Sequence, residues 1–140
     1  MEPEKIFQRL QKHMGYTDEE MKVFRSDPEK VKMVTETPEF VKCRVIAEVI
    51  ESHGCNSQHK VGDRLVMTPG GQLVTEECPD MICISALAEV SKILPVVSDR
   101  LISKSDPNFE RFNIVHCPDV GLDKGGWGKV LMKVYVEKFR

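Results

Sequence analysis

No stretch of this chain approaches the ~20 consecutive apolar residues that cross a bilayer as a helix, so no membrane span is expected. Charge of one sign is lacking as well: 20 Lys and Arg stand against 22 Asp and Glu, a net charge of −2 with no like-charged run. That balance argues against nucleic acid and against a polybasic membrane patch as partners. Aromatic residues are scarce at 6%, with one tryptophan, Trp127. The opening Met1-Glu2-Pro3-Glu4-Lys5 has no apolar core of a signal peptide. Repeats and low-complexity tracts are absent too. These absences together predict a cytoplasmic protein whose thiols stay reduced. Five cysteines, an odd number with no Cys-x-x-Cys pair, are then expected as thiols or metal ligands rather than as a disulfide framework.

What is present suits one α+β domain. A 140-residue chain can bury roughly two thirds of its unfolded surface and needs no covalent staples. Residues 1–40 read as an N-terminal arm of short helices. Pro3 opens the first, Gly15 stops it, Thr17 with Glu20 forms a capping box, and Asp27-Pro28 starts another. Residues 41–140 read as the core, the whole making one compact domain. The period becomes two at Val41, with Val41, Cys43, Val45, Ala47 and Val49 on one strand face. Asp63–Met67 and Gln72–Val74 are expected as strands joined by a type II turn at Thr68-Pro69-Gly70-Gly71. The longest helix is predicted to begin at Cys78-Pro79-Asp80 and to kink or end at Pro95. Phe112–His116 and an alternating segment over Val130, Met132, Val134 and Val136 complete a mainly antiparallel sheet of about five strands.

The cysteines divide into two groups. Cys43, on an apolar strand face, and Cys83, on the apolar stripe of the long helix, read as small buried hydrophobes. Cys55, Cys78 and Cys117 stand in loops or at element ends, where functional side chains are usually presented. Cys55 is followed four residues later by His59, and Cys117 follows His116. Tetrahedral zinc takes four Cys or His ligands, and Cys55, His59, Cys78 and Cys117 could supply them. An iron–sulfur cluster would draw on Cys55, Cys78, Cys83 and Cys117, and ranks below zinc because Cys83 would have to leave its stripe. Without metal, Cys78 at a helix N-cap would favour its thiolate and act as a nucleophile, with His116 and Asp119 as proton-handling partners. Lys124-Gly125-Gly126-Trp127-Gly128-Lys129 lacks the spacing of a phosphate loop and reads as a hairpin loop. Trp127 is either a plug at the end of the sheet or an anchor for a partner.

Gly54-Cys55, His59-Lys60-Val61-Gly62-Asp63, Cys78-Pro79 and Cys117-Pro118-Asp119, in that order before a last alternating strand, resemble a family of small prokaryotic proteins with no established activity. The resemblance covers about residues 41–139 and marks Cys55, His59, Gly62, Asp63, Cys78, Cys117 and Asp119. Where that family often carries an aromatic after its first Cys-Pro, Asp80 stands here. Where it often has a cysteine before the last one, His116 stands here. The sequence-level expectation is a zinc-binding accessory or small subunit of a larger enzyme. It would contact a partner or a second copy through the N-terminal helices and Trp127. The alternative is a thiol enzyme or redox module.

Overall fold

The computed structural model describes residues 2–138, so Met1, Phe139 and Arg140 at the ends of the expected segments lie outside the described residues. The chain forms two compact units, Met1–Pro38 and Glu39–Arg140.

The first unit contains three helices, α1 (Pro3–Met14), α2 (Asp18–Arg25) and α3 (Pro28–Glu36). Their ends follow the local chemistry. Gly15 takes the left-handed conformation at φ 73° and returns its amide to the Gln11 carbonyl. Thr17 and Glu20 close a reciprocal capping box on α2, and the Asp27 carboxylate accepts from the amides of Glu29 and Lys30. Arg25 grips both oxygens of Glu4 and lies 4.3 Å from the centre of the buried Phe7 ring. One side chain thereby ties α2 to α1 through both charge and apolar contact.

In the second unit, four strands among the described residues form one antiparallel sheet in the order β2-β1-β4-β3. They are β1 (Cys43–His53), β2 (Arg64–Met67), β3 (Ile114–His116) and β4 (Lys129–Lys138). Period two decides the two faces. Cys43, Val45, Ala47 and Val49 of β1, Leu65 and Met67 of β2, and Val130, Met132, Val134 and Val136 of β4 form the main core. They pack with Ala86, Val90, Ile93, Val97 and Leu101 of the one long helix, α4 (Ile84–Ile102). Ile46, Val66 and Val74 form a smaller cluster with Cys78 and Tyr135 against it, on the opposite face.

Four expectations need correction. Gln72–Val74 does not form a strand, since only an isolated bridge joins Leu73 to Met67. In the preceding turn the left-handed residue is Gly71, at φ 98°, rather than Gly70. This fits a type I turn followed by a left-handed glycine, not type II.

The long helix does not begin at Cys78-Pro79. Residues 75–77 make a single 3₁₀ turn and α4 opens only at Ile84, with Cys83 as its N-cap. Val74 and Cys78 are docked on the small-cluster face while α4 lies on the other. The intervening residues must carry the chain from one face to the other and cannot coil into a helix.

Pro95 does not end α4. It costs the helix interior about 3 kcal/mol. Beyond it, however, Val97 and Leu101 are buried on the unbroken i, i+4 stripe, which offsets that cost at about 1.5–3 kcal/mol each. Among the described residues no helix is long and apolar enough to cross a membrane.

Candidate functional site

A cavity of about 260 Å³ opens where three segments meet. The loop after β1 contributes Cys55, Asn56, Ser57 and His59. The N-terminus of α4 contributes Cys83, Ser85 and Ala86, and the chain around β3 and β4 brings Cys117, Pro118 and Asp119. The glycines explain how the outer two segments come so close. A Cβ on Gly128 would overlap the backbone carbonyl of Gly54, and one on Gly54 would stand 2.9 Å from the Trp127 carbonyl. Two glycines facing each other let the two backbones cross at the edge of the cavity.

Asp119 builds the far wall. Its carboxylate accepts from the amides of Gly121 at 3.1 Å, Trp127 at 2.9 Å and Gly128 at 2.9 Å. The Trp127 amide, followed by that of Gly128, holds the Asp119 carboxyl below the usual carboxylate range, against an opposing effect of burial. Asp119 is thus a carboxylate committed to shaping the glycine loop.

His59 builds the near wall and is 5% exposed. Its Nε2 accepts the Cys83 amide at 3.1 Å, so that nitrogen carries no proton. The ring proton therefore sits on Nδ1, which faces Asp63 Oδ2 at 3.8 Å. Asp63 in turn accepts the Lys60 amide at 3.1 Å. The imidazole is thereby spent on fixing where α4 begins.

Cys83 is the group so positioned. At the N-cap its thiol makes no regular capping hydrogen bond. The nearby Ala86 amide nonetheless favours the thiolate and pulls the thiol below its ordinary range. Burial opposes this, and the Ser57 hydroxyl and the amide and hydroxyl of Ser85 add to it. The argument made from sequence for an N-cap thiolate at Cys78 therefore applies to Cys83, which packs partly buried against the main core, as its place on the apolar stripe predicts, and also lines the cavity. The signal that could have found it was Cys83-Ile84-Ser85, a polar pair interrupting the apolar stripe at its start.

Of the four residues expected as zinc ligands, Cys55, His59 and Cys117 line this cavity, and Cys78 does not. Cys78 lies on the opposite face of the sheet, where its sulfur accepts the Val66 amide at 3.2 Å and donates to the Val66 carbonyl at 3.4 Å. It occupies the Val66 amide of β2, an edge strand that would otherwise offer that amide for pairing, while the Val66 carbonyl also accepts the Val74 amide at 2.9 Å. Cys43 is fully buried, as expected. His116 is exposed and its Nδ1 lies 2.6 Å from the Cys117 carbonyl. Among the described residues no three His, Cys, Asp or Glu side chains are arranged to hold a metal ion. Trp127 is 85% exposed, so it does not plug the sheet. Compared with known proteins, the chain matches no family model, no curated protein and no solved structure.

Proposed function

We propose that the second unit is a thiol-chemistry module in which Cys83 is the nucleophile. The observation that carries this reading is the meeting of three cysteines, Cys55, Cys83 and Cys117, on one open cavity, with Cys83 at the N-terminus of a 19-residue helix. The helix end concentrates unpaired amides and the positive end of the dipole at that sulfur, which favours the attacking thiolate. His59 acts as a positioning residue, because it holds the Cys83 backbone and leaves the thiol free. Low-dose iodoacetamide at neutral pH followed by peptide mass mapping tests the proposal. Cys83 is expected to alkylate at least several-fold faster than a free peptide thiol and faster than the other four cysteines. Equal or slower alkylation overturns it.

A second reading is a zinc site using Cys55, Cys83 and Cys117, which share this cavity but are not arranged as placed to hold the ion. It requires those side chains to turn inward around the ion. Elemental analysis of protein purified without a tag decides it: less than a tenth of an equivalent of metal, with no gain on adding zinc, removes this reading.

A further inference from the structure

A nucleophilic thiol completes a redox turnover only if a second thiol releases its adduct, and the cavity offers two, which differ in how they are held. Cys117 is 9% exposed, its amide is bonded to the Val130 carbonyl, and its sulfur lies 3.9 Å from the Asp119 carbonyl. It is fixed at the root of a loop that Asp119 pins at three amides. Cys55 is half-buried and belongs to the loop that rests directly on the α4 N-terminus. That loop reaches Cys83 twice, through the Ser57 hydroxyl at the thiol and His59 Nε2 at the amide. The Gln58 amide returns to the Cys55 carbonyl at 3.0 Å, which folds Cys55 back beside His59. Cys55 is therefore within one turn of chain of the groups that touch Cys83, and it is partly exposed to solvent.

We propose that Cys55 is the resolving thiol of Cys83, so that this pair reduces small organic disulfides and ends as an intramolecular Cys55–Cys83 disulfide. The assignment rests on the thiol reading above. In the first step the Cys83 thiolate attacks one sulfur of the substrate R–S–S–R′, forming the mixed disulfide Cys83–S–S–R and expelling R′–S⁻. In the second, the Cys55 thiolate attacks the Cys83 sulfur, forming Cys55–S–S–Cys83 and expelling R–S⁻. The protein loses two electrons and the two thiol protons, and the substrate gains the two electrons as two thiolates.

Ellman's reagent, added at one molar equivalent to the fully reduced full-length protein, tests the assignment by stoichiometry. The wild-type chain is expected to release two thionitrobenzoates per reagent, and mapping is expected to find a Cys55–Cys83 cross-link. Cys55→Ser is expected to release one and to retain the adduct on Cys83. Cys78→Ser, altered on the opposite face, is expected to release two like wild type. A wild-type Cys83 that keeps its adduct, a cross-link from Cys83 to Cys117, or a second release in Cys55→Ser overturns the Cys55 assignment while leaving Cys83 as nucleophile. A Cys83 that takes up no reagent overturns the thiol reading itself.

Discussion

His59→Ala is the perturbation that most directly probes how the site is held. The imidazole is 5% exposed and its Nε2 is the acceptor for the Cys83 amide. Truncation leaves that amide without its partner in a partly buried position, at about 1–3 kcal/mol. Losing the buried ring carbons adds on the order of 1 kcal/mol. The expected total is about 2–4 kcal/mol. With a urea m-value of about 1–3 kcal/mol/M, the unfolding midpoint should fall by on the order of 1 M. Because the amide lies at the first turn of α4, Cys83 alkylation should also slow several-fold as that turn frays. His59→Gln offers a side-chain carbonyl that can accept the same amide, so it should recover about half the stability and keep the alkylation rate within about twofold. Urea unfolding followed by circular dichroism and timed alkylation with mass mapping read both quantities. An unchanged midpoint with unchanged Cys83 reactivity in His59→Ala would refute the positioning role. So would a variant that loses bound zinc while its metal-free stability is unaffected, because His59 would then be a ligand.

Three further outcomes are expected. The pH midpoint of Cys83 alkylation should lie below that of a free peptide thiol. Between the folded value and the unfolded one near 8.5, the folded chain is deprotonated there and the unfolded chain is not. The pH-dependent part of the stability difference between wild type and Cys83→Ser should therefore grow as pH rises through that window, leaving a constant difference below it; a midpoint at or above the free thiol contradicts the N-terminal effect. Gly128→Ala should cost more than about 3 kcal/mol, because its Cβ would overlap the Gly54 carbonyl, which is backbone and cannot rotate away; near-wild-type thermal unfolding would show that the two loops separate freely. Pro95→Ala should stabilise the chain by about 1–3 kcal/mol, since the exposed ring packs against little and its removal restores a helical hydrogen bond; a lower unfolding midpoint would mean that the ring makes a contact that matters.

Local chemistry made much of the fold legible from the residues alone. The capping box at Thr17, the Asp27-Pro28 start and the Gly15 stop each act within one turn of chain, and each appears where the sequence places it. The alternation in β1 and β4 encodes which side chains enter the core, because a strand has only two faces. Cys55, His59 and Cys117 were marked as site residues and share one cavity. The start of α4 was not legible. Cys78-Pro79 carries a good local start signal, yet Cys78 is held at β2 on one face of the sheet while the helix packs on the other.

The sequence by itself determined the class of fold, the caps of the first helices and the inward face of the main strands, since these depend on neighbours within a few residues. Only the tertiary structure decided which cysteine sits at the mouth of the long helix. That choice depends on His59 meeting the amide of Cys83, 24 positions further along the chain, and on a chain crossing between sheet faces that no local pattern records.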